Sequence, residues 1–165
     1  KKIPTHGGSI RVYVSKNNNF KVSENCKKIF QLEKNYLNKK TFQNFSDKVV
    51  SSKIDLYSTL KKIKSKKKKI FGVGAPSRAA TLINYVGLNK DIIDCILEIT
   101  GSHKIGKYMP GTNIPIVNEK ECFKKKPEYL LLLSWHISKS LIKVFKKKGF
   151  KGKFIIPLPT PRIVK

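Results

Sequence analysis

One segment, residues 70–88, constrains the fold of this chain more than any other. An apolar run, Ile70–Val73, leads into small residues and then into a proline, a serine and an amphipathic stretch. This order is typical of a buried parallel strand that turns into a helix, whose first N–H groups are free to hold an anion. The sequence therefore predicts a strand–turn–helix unit, with Gly74, Ala75 and Ser77 as candidate binding residues at the turn.

Arg78 falls in the first turn of that predicted helix. It is one of three arginines beside 33 lysines. A chain that uses lysine almost everywhere is expected to keep arginine where a planar, bidentate group must bind phosphate or carboxylate. We interpret Arg78 as a candidate phosphate ligand. The alternatives are that the residue choice is chance, or that Arg78 pairs with a carboxylate such as Glu98 and ties two loops together.

The chain alternates between strand and helix patterns from Lys69 onward. Continuous apolar strands such as Tyr129–Leu133 are buried on both faces, which indicates a parallel sheet covered by helices. The predicted strands are Ile70–Val73, Ile92–Leu97, Ile114–Val117, Tyr129–Leu133 and Phe154–Ile156, and the predicted helices are Ser77–Tyr85, Asn118–Lys124 and Ser138–Lys148.

A lead-in precedes this alternating part. Ser9–Ser15 alternates apolar and polar residues and predicts a half-buried strand. Glu24 to about Tyr36 predicts a helix, and Thr41 is placed to cap a longer helix that runs to about Lys66. Its predicted apolar face comprises Phe42, Phe45, Val49, Ile54, Leu56, Leu60 and Ile63.

The length of 165 residues suits one domain, with residues 1–68 as the lead-in and 69–165 as the α/β core. The predicted fold class is α/β: a Rossmann-like three-layer sandwich with a mostly parallel sheet, preceded by a strand and a helical pair.

Composition limits the function classes. No stretch of 18 apolar residues exists, so no membrane span is predicted. Cys26, Cys95 and Cys122 are far apart and odd in number, which favours reduced, structural cysteines and a cytoplasmic location. The three histidines are not spaced as metal ligands, and no metal site is predicted.

The net charge of +26 raises the alternative of a lysine-rich nucleic-acid or polyanion-binding module. The run Lys61–Lys69 is its main candidate. It lacks the interleaved arginines or aromatics of a nucleic-acid reader. It also closes a predicted helix, where lysines favour the helix dipole. A solvated helix end is therefore the preferred interpretation, and nucleic acid is not the expected partner.

Ligands of such sheets bind beyond the carboxyl ends of the strands. That rule places residues 74–78, 98–107 and 134–137 on one edge. Lys104, Lys107 and Tyr108 belong to a long loop that we interpret as a lid over a charged ligand. Trp135 and His136 follow the most buried predicted strand, where Trp135 is either a core residue or a stacking platform.

Two weaker patterns remain. His6-Gly7-Gly8-Ser9-Ile10-Arg11 sets a titratable ring and a fixed cation, His6 and Arg11, around two glycines; it predicts either a binding segment or an ordinary turn. Gly72 and Gly74, followed about 24 residues later by Glu98, form an incomplete dinucleotide fingerprint, which leaves an NAD(P)-binding domain as an alternative. No nucleophile–base pair is evident, so the catalytic residues stay unassigned.

Four ordered motifs carry a family resemblance. They are His6–Tyr13, Gly72–Tyr85, Lys104–Ile116 (Lys-Ile-Gly-Lys-Tyr-Met-Pro-Gly-Thr-Asn-Ile-Pro-Ile) and Leu132–His136. Together they resemble the C-terminal domain of the sugar C-methyltransferases, S-adenosylmethionine-dependent enzymes that methylate a carbon of a keto-deoxy nucleotide sugar. The resemblance covers nearly the whole chain.

The resemblance implies a Rossmann-like domain that helps to hold a nucleotide-diphosphate sugar, with Arg78, Lys104, Lys107 and the Gly74–Ser77 turn facing that ligand. It also implies an upstream zinc-binding region and a methyltransferase domain as partners within the same protein. S-adenosylmethionine would be bound by that upstream domain, and no cofactor is expected in this chain.

Overall fold

The computed structural model describes residues 1–5, 8–16 and 19–165. It divides into two compact units, Lys1–Val49 and Val50–Lys165. Each unit is described by itself below.

The smaller unit contains a short ribbon and helical structure. Strand β1 (Lys2–Ile3) pairs antiparallel with β2 (Ser9–Ile10). Helix α1 (Glu24–Tyr36) begins after Ser23, whose Oγ accepts a hydrogen bond from the backbone N–H of Cys26 at 3.4 Å. This capping confirms the predicted first helix.

The predicted strand Ser9–Ser15 is wrong beyond Ile10. Arg11 still exchanges backbone hydrogen bonds with Lys1, but no strand of the described residues pairs with residues 12–15, and the side chains of Val12 and Val14 are 67% and 90% exposed. An alternating pattern produces a stable strand only where a neighbouring strand takes up its hydrogen bonds and a core covers one face. Among the described residues, no neighbouring strand takes up the hydrogen bonds of residues 12–15, and Val12 and Val14 are exposed.

Helix α2 (Lys39–Lys64) begins earlier than predicted. Asn38, not Thr41, caps it, because the Asn38 Oδ1 accepts the backbone N–H of Thr41 at 3.0 Å.

The apolar face predicted for α2 is only partly buried. Leu56, Leu60 and Ile63 are buried, but Phe42 and Phe45 are exposed. The sequence pattern predicted the helical period correctly but did not show which turns of the helix a core would cover.

The larger unit is built on a six-stranded sheet. Its elements after α2 are β3 (Ile70–Val73), α3 (Ser77–Val86), β4 (Cys95–Glu98), β5 (Ile116–Asn118), α4 (Glu121–Lys125), β6 (Tyr129–Leu132), α5 (Ser138–Lys147), β7 (Lys153–Ile156) and β8 (Arg162–Val164). The strand order is β5-β4-β3-β6-β7-β8, and only the β7–β8 pair is antiparallel. The α/β, Rossmann-like fold class is thereby confirmed.

Several predicted element bounds need correction. Strand β4 begins at Cys95 rather than Ile92, because the backbone N–H groups of Ile92 and Ile93 are used in a turn that closes on the carbonyl of Asn89. Strand β5 begins at Ile116 rather than Ile114, and α4 begins at Glu121. The edge strand β8 was not predicted.

Two apolar cores lie on the two faces of the sheet. Ile70, Ile96 and Leu131 pack with α3 and the last turns of α2, whereas Phe71, Leu97, Leu130 and Leu132 belong to the other core with Cys122 and Phe145. Adjacent residues of one strand enter opposite cores because strand side chains alternate in direction. This explains why the strands are apolar throughout.

Lysines of the run Lys61–Lys69 have defined partners. The Nζ of Lys64 lies 3.1 Å from the carboxylate of Asp94, and that of Lys68 lies 3.0 Å from the carboxylate of Glu128. The backbone N–H of Lys69 also donates to Glu128, and together these donors lower the pKa of the Glu128 carboxyl below its ordinary value. This part of the run therefore joins the end of α2 to the sheet.

The loop before β5 folds back on itself. The N–H of Ile116 donates to the carbonyl of Lys107, and the N–H of Met109 donates to the carbonyl of Ile114. Thr112 Oγ1 donates to the Met109 carbonyl at 2.9 Å, and the Met109 side chain is 1% exposed. We call residues 107–116 the hairpin. Its backbone bonds and the buried Met109 side chain define its conformation, and the prediction that this loop is a lid stays a prediction.

Asn84 of α3 fastens the hairpin to the sheet unit. Its Nδ2 donates to the carbonyl of Pro110 at 2.9 Å and to the carbonyl of Ala80 at 2.8 Å. Gly111 lies directly on the Asn84 amide with φ +77°, so a Cβ at this position would collide with Asn84. Glycine is therefore required at position 111 by local geometry.

Among the described residues, no helix combines the length and the apolar character needed to cross a membrane.

The contact between Gly111 and Asn84 predicts a stability difference. Gly106→Ala places a side chain at φ +83° in open space and should cost about 1–2 kcal/mol of unfolding free energy. Gly111→Ala adds displacement of the Asn84 amide and should cost at least about 1 kcal/mol more. Chemical denaturation of both variants measures the difference, and equal costs would contradict the proposed contact.

Burial of two thiols predicts selective alkylation. Burial raises the pKa of Cys95 to about 12 and that of Cys122 to about 11, whereas Cys26 is partly exposed. Because the thiolate is the reactive form, iodoacetamide at about pH 8 should modify Cys26 alone in the folded protein. Mass spectrometry should find one label before denaturation and three after it, and rapid modification of Cys95 in the folded protein would contradict the assigned burial.

Candidate functional site

The carboxyl ends of β3 and β6 meet at the centre of the sheet edge. Gly74 follows β3 with φ +82°, and a Cβ at this position would lie 2.9 Å from the Oγ of Ser134, which follows β6. Only glycine satisfies both the left-handed backbone and this close approach. Gly74 thus allows the chain to turn from the strand toward α3.

The next residue, Ala75, joins three segments of this edge. Its backbone N–H donates to Oε1 of Glu98 at the end of β4, with a distance of 2.6 Å. Its carbonyl accepts a hydrogen bond from Nζ of Lys104 at 2.8 Å. The Glu98 carboxylate therefore binds the N–H of Ala75, and the Lys104 ammonium binds its carbonyl. Two clefts lie beside these contacts, and Lys104 lines both of them.

The first cleft, which we call the cationic cleft, has a volume of about 500 Å³. It lies between the start of α3 and the hairpin. Its lining residues include Ala75, Ser77, His103, Lys104, Lys107 and Tyr108. Five of the predicted site residues are thus brought together, and among the described residues no acidic side chain lines this cleft.

The second cleft, which we call the carboxylate cleft, has a volume of about 430 Å³. It lies between the same strand ends and α5. Its lining residues are Val73, Gly74, Pro76, Leu97, Glu98, Ile99, Lys104, Glu119, Ser134, Leu141, Val144, Phe145 and Lys148. The floor is apolar, and the Nζ of Lys148 lies 2.8 Å from the carboxylate of Glu119 at its side.

Arg78 lies in neither cleft. Its guanidinium carbon is 6.0 Å from the centroid of the Trp135 ring, a distance typical of a cation–π contact. The alternative ion pair between Arg78 and Glu98 is absent from the ion pairs of the described residues.

Trp135 packs at the border of both cores, so it is partly a core residue and also a platform for Arg78. It begins a 3-10 helix that contains His136 and ends at Ile137.

The remaining predicted residues lie elsewhere. Arg11 is in the smaller unit, where it lines a separate cavity of about 310 Å³ together with Tyr13, Phe30 and Glu33. His6 falls outside the described residues.

Sequence reasoning missed two features of this edge. His103 was placed on this edge within residues 98–107 but was not named as a binding residue, although its position beside Lys104 was a signal that both line one cleft. Glu98 was considered as a ribose ligand or a partner of Arg78, and its bond to the Ala75 N–H was not anticipated. That bond depends on how β3 and β4 are aligned, with Val73 opposite Leu97.

The side chains gathered at this edge include groups that can bind a ligand. Among the residues that the structure describes, no group of three or more His, Cys, Asp or Glu side chains could hold a metal ion. The cationic cleft offers two ammonium groups, an imidazole and a phenol, which together suit an anion with several oxygens.

Comparisons with known proteins agree with this architecture. The C-methyltransferase NovU of Streptomyces niveus is 35% identical to this chain over 100 residues, which are 59% of this chain and 23% of that protein. The chain thus spans less than a quarter of the curated relative that it matches. The family described as the C-methyltransferase C-terminal domain matches residues 4–159. Because that match covers nearly the whole chain, the chain belongs to the C-methyltransferase C-terminal domain family.

Proposed function

We propose that this chain is the nucleotide-sugar-binding domain of an S-adenosylmethionine-dependent C-methyltransferase that acts on a keto-deoxy sugar. The observation that carries the proposal is the cationic cleft, in which Lys104 and Lys107 face the start of α3. The diphosphate of a nucleotide sugar is the part of such a substrate that this charge would bind.

The structure of the cleft supports a diphosphate in particular. Lys104 is positioned by its hydrogen bond to the Ala75 carbonyl, which uses one of its three N–H groups and leaves two for a ligand. Lys107 forms no ion pair with any described residue, so its charge is available. A charged ligand between them would also meet the Tyr108 hydroxyl.

The domain would contribute to catalysis by orientation. Methylation of a carbon beside a sugar ketone requires removal of a proton from that carbon and attack of the resulting carbanion on a methyl donor. S-adenosylmethionine supplies the electrophilic methyl group, and we propose that another part of the protein binds it. Binding energy from the diphosphate would hold the reacting carbon in position.

Arg78 enters the proposal as a second source of phosphate contact. It follows Ser77, which lines the cationic cleft, and its guanidinium lies on Trp135. We propose that Trp135 holds the arginine near the cleft mouth, where its planar group can bind an outer phosphate oxygen.

Titration with uridine diphosphate tests these assignments. A charge-assisted hydrogen bond contributes about 1.5–3 kcal/mol, so Lys107→Ala and Arg78→Ala should each weaken binding by about 10- to 100-fold. Arg78→Lys should restore only part of the loss, because an ammonium cannot form the bidentate contact. Isothermal calorimetry provides the affinities.

Lys153→Ala is the matched control for charge. Lys153 is exposed at the amino end of β7, on the opposite edge of the sheet from the cleft. Its loss therefore tests how far the net charge of +26 attracts an anionic ligand without a specific site. The affinity of Lys153→Ala for uridine diphosphate should stay within about twofold of that of the unsubstituted chain. If Lys153→Ala and Lys107→Ala weaken the binding of uridine diphosphate equally, the cationic cleft is rejected as the binding site. If Arg78→Ala leaves that affinity unchanged and lowers the melting temperature, Arg78 is a structural residue.

If the methyl donor binds to another part of the protein, this chain alone should be inactive. We expect the 165 residues, supplied with S-adenosylmethionine and a keto nucleotide sugar, to transfer no methyl group. Transfer of a radiolabelled methyl group measures this directly. Turnover above the background without protein would overturn the proposed separation of donor and substrate sites.

A further inference from the structure

We propose that Asn84 is a positioning residue of the cationic cleft: it sets the distance between the two walls, α3 and the hairpin, and thereby makes the cleft selective for a diphosphate over a single phosphate group. Asn84 does not line the cleft, so it acts through residues that do. This inference rests on the proposed function, because it concerns how the same cleft recognises its ligand.

The amide of Asn84 joins the two walls of the cleft. Its Nδ2 donates to the carbonyl of Ala80 at 2.8 Å and to the carbonyl of Pro110 at 2.9 Å. Ala80 lies on α3, Pro110 lies on the hairpin, and both line the cleft. A side-chain NH₂ group has two donors, and each wall receives one of them. One planar group therefore fixes the separation of the walls at this end of the cleft.

The oxygen of the same amide faces the tip of the hairpin. A Cβ built on Gly111 would collide with Oδ1 of Asn84, and Gly111 has φ +77°. The backbone of the tip thus approaches the amide so closely that no side chain fits between them. Asn84 therefore holds the tip by close packing as well as by a hydrogen bond.

The backbone of the hairpin connects this tip to Lys107. The N–H of Met109 donates to the carbonyl of Ile114 at 2.9 Å, and the N–H of Ile116 donates to the carbonyl of Lys107 at 2.8 Å. Ile116 begins β5, so one arm of the hairpin belongs to the sheet. The other arm carries Lys107 and Tyr108, and it is held by these bonds, by the buried Met109 side chain and by the tip contact.

The second cation of the cleft is held without the hairpin. The Nζ of Lys104 donates to the carbonyl of Ala75 at 2.8 Å, and Ala75 precedes α3. A single phosphate group can bind at Lys104 alone, whereas the two phosphate groups of a diphosphate reach Lys104 and Lys107 together only while the walls keep their separation. Loss of the Asn84 bonds is therefore expected to cost more affinity for a diphosphate than for a single phosphate.

Titration of the full 165-residue chain with inorganic pyrophosphate and with inorganic phosphate tests the inference. Asn84→Ala removes the amide without changing the charge, and α3 should still form because alanine favours a helix more than asparagine does. Gly111→Ala disturbs the same contact from the side of the hairpin.

Asn38→Ala is the matched control. The Nδ2 of Asn38 also donates to two backbone carbonyls, at 3.3 and 3.4 Å, and Asn38 does not line the cleft. Because Asn38 caps α2, its loss should lower the melting temperature. The control therefore separates a loss of stability from a loss of positioning.

The expected result is a change in selectivity. Asn84→Ala and Gly111→Ala should each weaken the binding of pyrophosphate by about fivefold or more and that of phosphate by less than about twofold. Asn38→Ala should leave both affinities within about twofold of those of the unsubstituted chain, since it breaks no contact of the cleft. In a chain that already carries Lys107→Ala, Asn84→Ala should weaken pyrophosphate by no more than about a further twofold, because Asn84 acts through Lys107.

An unchanged ratio of the two affinities in Asn84→Ala, with melting curves showing a folded protein, would overturn the inference. If Asn84→Ala fails to fold, the same ratio measured in Gly111→Ala decides the question. Equal affinity of the unsubstituted chain for phosphate and pyrophosphate would also overturn it. If the unsubstituted chain binds no pyrophosphate at millimolar concentration, the diphosphate site itself is rejected and the inference with it, so the two failures are distinguishable.

Discussion

The paired hydrogen bonds of Ala75 organise the carboxyl edge of this sheet. One peptide N–H is bound by the Glu98 carboxylate and the adjacent carbonyl by the Lys104 ammonium. In a parallel sheet every strand ends at the same edge, so unsatisfied groups would otherwise accumulate there. The Glu98 carboxylate and the Lys104 ammonium satisfy the N–H and the carbonyl of Ala75. The cationic cleft and the carboxylate cleft lie next to each other beside these two contacts.

The hairpin and helix α3 depend on a second local constraint. Asn84 donates to Pro110, and Gly111 fits over the same amide because it lacks a side chain. This contact holds the hairpin, with Lys107 and Tyr108, against the last turns of α3. The buried Met109 then couples that wall to the core of the sheet. The loop that lines the cationic cleft is therefore attached both to α3 and to the core of the sheet.

Much of the fold could be predicted from local patterns. Strand β3 and helix α1 were predicted with their observed bounds, because their signals lie within a few residues. The parallel sheet followed from strands that are apolar throughout. The strand expected over Ser9–Ser15 is present only at Ser9–Ile10, because an alternating pattern does not say how far a partner strand extends. The exposed Phe42 and Phe45 show the same limit for helices, since period alone does not identify the turns that a core covers.

The sequence predicted which residues reach this edge of the sheet better than it predicted which partners they contact there. By itself, the sequence determined that Gly74, Ala75, Ser77, Lys104 and Lys107 would reach one edge, because parallel strands bring their carboxyl ends together. Tertiary structure alone decided that Arg78 lies on Trp135, that Glu98 binds the Ala75 N–H and that Lys104 separates two clefts. The reason is physical: strand order follows from hydrophobic pattern and connection length, whereas the partner of each polar group depends on side-chain directions set only when distant segments pack.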